Sequence, residues 1–239
     1  MTESILKISD LTSGYGDVQV LWGINLNCAK GDIICLVGSN GAGKTTLLRT
    51  ISGICKAKEG KIFFEGREIT SLSPDKILEL GIAHVPEGRR LFKGLTVRDN
   101  LLLGAYHRQE HKSLIKDDLD MVLDLFPILA ERHKQDATTL SGGQQQMCAI
   151  ARGIMSKPKL LMIDELSLGL APNLVEHLAQ SLVEINSKGT SIILVEQDVM
   201  TAFEIAKYGF VIETGKILKE GPTKELYNDS IIREAYLGI

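Results

Sequence analysis

Eight consecutive residues constrain this chain more than any others: Gly38-Ser39-Asn40-Gly41-Ala42-Gly43-Lys44-Thr45, with Thr46 following. They fit G-x-x-x-x-G-K-[ST]. They stand between an apolar run, Ile33-Ile34-Cys35-Leu36-Val37, and a stretch that reads as a helix from about Lys44 to Ser52. Three glycines let the backbone bend so that successive N–H groups point into one concavity, which suits phosphate oxygens. The helix N-terminus adds its positive end. In such a loop Lys44 reaches the β- and γ-phosphates of a nucleotide and the Thr45 hydroxyl holds Mg²⁺. The expectation is ATP with Mg²⁺, bound on a strand–loop–helix unit.

The flanking segments suit that unit. Ile5 to Ile8 alternates, Val18 to Asn27 is a second β run, and Gly31-Asp32 turns into the strand before the loop. Lys61 to Glu65 is a short strand with a turn at Gly66. From about Thr96 to Ser156 the character is helical: Leu119, Val122, Leu123 and Phe126 recur at helical spacing, and Gln144 to Met155 forms a second helix. Leu160 to Ile163 and Ser191 to Val195 are continuous apolar strands, separated by a helix from about Pro172 to Lys188. Such strands alternating with helices indicate a parallel sheet covered on both faces. Phe210-Val211-Ile212, a turn at 213–216 and Ile217-Leu218 read as a terminal hairpin.

The composition is ordinary for a globular chain, and 27 Lys+Arg against 30 Asp+Glu gives a net charge of −3, with no general attraction to nucleic acid or an anionic membrane. The start, MTESILKIS, lacks the basic and apolar regions of a signal peptide, and no run reaches the ~18 apolar residues of a membrane span. Work at a membrane therefore implies a partner subunit. Cys28, Cys35, Cys55 and Cys148 show no paired spacing and read as reduced, buried thiols.

Two further segments carry chemistry. Leu161-Met162-Ile163-Asp164-Glu165 is an apolar strand ending in two acids, on its own an ordinary strand end. Downstream of a phosphate loop, the acid at this strand end holds Mg²⁺, which assigns that role to Asp164. Glu165 beside it is the candidate base for the attacking water. In Leu140-Ser141-Gly142-Gly143-Gln144-Gln145-Gln146, Ser141 suits a helix N-cap and the glycines leave N–H groups open. That describes a second phosphate site, or a capped turn without a ligand. One ATP needs only one such site.

A Walker A loop, L-S-G-G-Q and a strand ending in Asp-Glu, in that order and over essentially the whole chain, resemble the nucleotide-binding subunit of an ABC transporter. The resemblance implies an α/β fold with a P-loop NTPase core, an N-terminal antiparallel β subdomain and an inserted α-helical subdomain. It makes 1–239 one domain, with about 1–95 and 157–239 as the nucleotide-binding core and about 96–156 as the helical part. It implies a head-to-tail dimer in which Ser141, Gly142, Gly143 and Gln144 face the partner's ATP. Tyr15 resembles the aromatic that stacks on adenine, although a turn tyrosine in a hairpin reads the same from sequence. Ser167 to Leu170 occupies the loop that contacts the partner.

Where most members have a metal-touching glutamine, Val85-Pro86-Glu87-Gly88-Arg89-Arg90 offers Glu87. Where most have a histidine near the γ-phosphate, Val195-Glu196-Gln197 offers Gln197. Where most have proline after the acids, Leu166 stands. V-P-E-G-R-R, V-E-Q, S-L-G-L-A-P and the ending Ala235-Tyr236-Leu237-Gly238 resemble the ATPases of branched-chain amino-acid importers, from which only Leu166 departs. That likeness implies uptake of leucine, isoleucine and valine, integral permease subunits, an indirect extracytoplasmic substrate-binding protein, no nucleic acid, and a place on the cytoplasmic face of the cell membrane. A sister ATPase is the implied partner, with a homodimer as the other arrangement.

The same machine serving urea, amides or a lipid is the nearest rival. A non-transport ABC ATPase is more distant: the chain lacks the heptad arms of DNA-repair members and the second cassette of ribosome-associated ones. His107 and His111, four apart, suggest a surface pair with no third metal ligand. Arg89, Arg90, Lys93 and Arg98 form a basic cluster, either solvated or docked by the membrane subunit. Trp22 is expected in the core.

Overall fold

The computed structural model describes residues 3–237 and contains two sheets and a helical layer. The strands β1 (Ser4–Tyr15) and β2 (Val18–Ala29) form a long antiparallel hairpin. After β3 (Ile33–Val37) and α1 (Lys44–Ile51), the strands β4 (Ala57–Phe64) and β5 (Arg67–Glu68) complete a four-stranded antiparallel sheet in the order β2-β1-β4-β5. Helix α2 (Pro74–Leu80) leads into β6 (Ile82–Val85). The next helices are α3 (Val97–Gly104), α4 (Lys112–Leu125), α5 (Pro127–Glu131) and α6 (Gly142–Met155). The chain then alternates through β7 (Leu160–Asp164), α7 (Pro172–Ser187), β8 (Ser191–Glu196), α8 (Val199–Ile205), β9 (Tyr208–Glu213) and β10 (Lys216–Pro222).

The second sheet runs β10-β9-β3-β8-β7-β6. Its strands pair in parallel from β9 to β6, with β10 antiparallel at one edge. Its central strands β3, β7 and β8 are fully buried and apolar but for their ends, because both faces are covered, whereas the edge strand β10 alternates and is largely exposed. Cys35, Leu161, Ile163, Ile192 and Leu194 face a core shared with Val97, Leu101, Val122, Phe126, Ile150 and Leu178 of the helical layer. Ile34, Leu36, Met162, Ile193 and Phe210 face the other way, toward Leu47 and Leu48 of α1 and Ile8, Leu21 and Ile62 of the antiparallel sheet. Helix α1 is thereby held between the two sheets, with its N-terminus at the carboxyl ends of β3, β7 and β8, where ligands of open α/β sheets bind.

Several elements were not anticipated: β6, α2 and α8. The 61–65 strand begins earlier, at Ala57, and α6 begins at Gly142 rather than Gln144. Trp22 corrects an expectation, since it is 49% exposed. The pairing of β1 with β2 passes from Leu11↔Ile24 to Ser13↔Leu21, three residues against two. This bulge turns both Leu21 and Ile24 inward and ejects Trp22, with Gly23 at φ 63. His107 and His111 do not share a helix: His107 lies in the turn after α3, and the His111 side chain caps α4 by accepting from the Ser113 amide. All four cysteines are buried and free. The 235–238 ending runs past the described residues. Among those described, no helix is long and apolar enough to cross a membrane.

Candidate functional site

The loop after β3 ends at Gly43, whose φ of 110 is the left-handed geometry that glycine adopts without strain; it is the residue on which α1 starts. Lys44, 5% exposed, folds back over the loop and donates Nζ–H to the carbonyls of Gly38 (2.7 Å) and Ser39 (3.1 Å). Burial lowers its pKa, while Glu165, Asp164, Glu196 and Glu87 oppose that shift by attracting the cation. The neighbouring Thr45 hydroxyl donates to Asp164 Oδ1 at 3.2 Å, which ties the loop to the end of β7.

Asp164 is fully buried, and burial pushes its carboxyl up to about 6; the Thr45 hydrogen bond opposes this, while the charges of Glu165 and Glu87 add to it. Its Oδ2 and the Oε2 of Glu165 are buried without a hydrogen-bond partner among the described residues. Several carboxylates thus gather around one lysine, two of them with a free oxygen and one beside a hydroxyl. Hard oxygens of this kind suit Mg²⁺, which keeps part of its hydration and takes one or two carboxylates plus phosphate oxygens. The donor set fits the ion that the loop motif implies.

Glu165 sits at φ 60, a conformation a non-glycine side chain rarely adopts. Its Oε1 accepts from Gln197 Nε2. The open cleft above the loop, about 420 Å³, is lined by Asn40 to Thr46, Glu87, Glu165, Leu168 and Gln197. Four segments far apart in sequence therefore meet in one cavity. Tyr15 stands beside it on the flank of α1, 44% exposed, its hydroxyl accepting from Arg49 at 3.1 Å and Thr46 at 3.4 Å.

Ser141, Gly142, Gly143 and Gln144 do not line this cleft. They form the first turn of α6, closed by a reciprocal capping box between Ser141 and Gln144. The amides of Gly142 and Gly143 remain without intrahelical partners, as at any helix start.

Further along α6, residues not singled out from sequence reach the site. Gln146 donates to the Glu165 carbonyl at 3.2 Å, and Arg152 donates to the carbonyls of Arg90 (2.7 Å) and Arg89 (3.2 Å) in the Glu87 loop. Glu196, 1% exposed, accepts from the amides of Leu166 (2.7 Å) and Ser167 (2.9 Å) and from the Ser167 hydroxyl (2.9 Å). Burial raises its pKa, against the pull of those hydrogen bonds. Each had one sequence signal: Gln146 its place in the run of three glutamines, Glu196 its place in the V-E-Q segment.

A parallel sheet that presents a glycine-rich loop at a helix N-terminus, with acids at the end of β7, two strands along the sheet, defines the class of P-loop nucleotide-binding domains. Residues 21–167 match the family model described as ABC transporter. The chain is 41% identical to the high-affinity branched-chain amino acid transport ATP-binding protein BraG of Pseudomonas aeruginosa, over 98% of this chain and all of that protein. It is 35% identical to the probable branched-chain amino acid transport ATP-binding protein LivF of Archaeoglobus fulgidus, over 98% and 99% of the two chains. A nucleotide-free ATP-binding cassette of an ABC transporter superposes with a TM-score of 0.87 at 27% identity, covering 99% of this chain and 100% of that one. The chain belongs to the ABC transporter family, as one of its nucleotide-binding ATPase cassettes.

Proposed function

We propose that this chain is the ATP-hydrolysing subunit of an importer of branched-chain amino acids, bound to integral permease subunits at the cytoplasmic face of the cell membrane. The cargo rests on likeness to BraG and LivF, each matched over nearly its full length. The chemistry rests on one observation: the phosphate loop and Glu165 line a single cleft, Asp164 is joined to that loop through the Thr45 hydroxyl, and one oxygen of each carboxylate lacks a partner among the described residues.

The amides of 38–45 and Lys44 cradle the phosphates, and Lys44 releases its carbonyl contacts to do so. Tyr15 offers its exposed ring to the adenine. Thr45, Asp164 and Glu87 would hold Mg²⁺, which would supply positive charge against the phosphates. Glu165 takes the proton of the attacking water, and Gln197, neutral and fixed on Glu165 Oε1, orients that carboxylate and hydrogen-bonds near the γ-phosphate. Ser141, Gly142, Gly143 and Gln144 bind the γ-phosphate held by the other subunit of a head-to-tail dimer, so hydrolysis needs closure of two cassettes. A sister ATPase is the partner this reading favours. A substrate-binding protein delivers the amino acid to the permease from outside.

Glu165→Gln should keep ATP affinity and lose about 10²–10⁴ in turnover, the weight of a general base. Turnover at the parent rate would remove the assignment. Deleting the chain should abolish uptake of labelled leucine, isoleucine and valine while sparing urea; the reverse pattern would reassign the cargo.

A further inference from the structure

The peptide joining Glu165 to Leu166 is gripped at both polar ends by buried side chains. Its carbonyl accepts from Gln146 Nε2 at 3.2 Å, and its N–H donates to Glu196 Oε1 at 2.7 Å. Gln146 is 5% exposed and Glu196 1% exposed. We infer that Gln146 and Glu196 are positioning residues that lock this peptide, and with it the Glu165 carboxylate, in the orientation that serves hydrolysis. The inference rests on Glu165 acting as the base.

Glu165 needs such a lock. At φ 60 it occupies a region that L side chains leave unless the surroundings hold them there. Leaving it requires the 165–166 peptide to turn, which breaks both hydrogen bonds inside a buried environment where neither end finds water. The remaining contacts converge on the same point. The Glu165 amide donates to the Val195 carbonyl at 3.0 Å. The second oxygen of Glu196 accepts from the Ser167 hydroxyl at 2.9 Å and the Gln197 amide at 3.3 Å. Since the Gln197 side chain holds Glu165 Oε1, the Glu196 carboxylate fixes the base through its backbone and through its side-chain partner together.

Gln146 adds a mechanical link. It stands on α6, two residues beyond the 141–144 loop, so whatever engages that loop bears on the carbonyl of the base in the same chain.

The test is a double-mutant cycle on the full chain in its assembled transporter, measured by single-turnover hydrolysis of labelled Mg-ATP alongside ATP affinity. Gln146→Met preserves length and removes the donor. It should lower the hydrolysis rate about 10- to 100-fold, the scale of a misplaced catalytic group, with ATP affinity unchanged. In a Glu165→Gln background it should cost nothing further, because the group it orients is gone. An equal loss in both backgrounds, or no loss in the parent, overturns the lock. A Glu165→Gln single variant that hydrolyses at the parent rate overturns the base assignment instead, and the lock falls with it. Should Gln146→Met fail to fold, Glu196→Gln carries the same cycle. It keeps an acceptor for Leu166 but loses the charge, and charge-assisted bonds are roughly twice as strong as neutral ones, so a loss of about 3- to 10-fold is expected in the parent alone.

Discussion

Asp164→Asn should make the nucleotide-free protein more stable while removing the magnesium-dependent part of its response to Mg-ATP. The side chain is fully buried, and desolvation, with Glu165 and Glu87 nearby, raises its carboxyl from 3.8 to about 6. At about 1.4 kcal/mol per pH unit, that rise is a cost of about 3 kcal/mol when the group is ionised. Water entering the open cleft screens part of it, so a net gain of about 1–3 kcal/mol at neutral pH is the working figure. For a chain of this size that is a Tm increase of about 2–12 °C. The Thr45 hydroxyl keeps an acceptor in the Asn oxygen, so the gain is not offset by a lost hydrogen bond.

The pH dependence follows from the sign. The folded-state pKa lies above the unfolded one, so between about 4 and about 6 the folded protein binds more protons. Its stability from this group therefore falls as pH rises through that window. The advantage of Asn should be absent near pH 4, grow to about pH 6 and stay constant above. The assay is calorimetric melting of both proteins across that range, without ligand and then with Mg-ATP. A parent saturated at a hundred times its dissociation constant gains about 2.7 kcal/mol, and the variant should lose the magnesium-dependent part of that gain. A variant less stable than the parent at neutral pH without ligand would refute the reasoning. So would a gap that does not change with pH.

Glu87→Gln removes a charge from the cleft and should shift the Mg²⁺ concentration needed for half-maximal hydrolysis upward; an unchanged Mg²⁺ titration would reduce Glu87 to a loop residue. Gly104→Ala should destabilise by about 1–3 kcal/mol in urea melts, because its Cβ would fall 2.0 Å from the Arg152 carbonyl, where α3 crosses α6. A neutral result would mean that the two helices separate more freely than their packing implies.

The parts of this molecule legible in its sequence are those that contiguous residues build. The phosphate loop is one, because backbone amides in a row must be shaped by glycines in a row. The strands β3, β7 and β8 are others, because cover on both faces keeps their interiors apolar and leaves polar residues only at their ends. β6 escaped because it is four residues long and carries His84, whose ring is buried against Ser52 rather than in solvent. α2 escaped because only Ile77 of its seven residues is buried, too little to show a period. Trp22 misled because a bulge changes which side chains face inward and leaves no mark in the alternation of β2.

The same distinction separates the glycine-rich loop from the groups that grip the 165–166 peptide. Gln146 and Glu196 find their partners 19 and 30 positions away, and from sequence a polar residue awaiting such a partner is indistinguishable from one facing water. Burial is what tells them apart: a glutamine and a carboxylate kept from solvent must satisfy something, and here both satisfy the same peptide bond. The residue at that bond, Glu165 at φ 60, is the one proposed as the base, and two buried polar side chains hold the peptide that follows it.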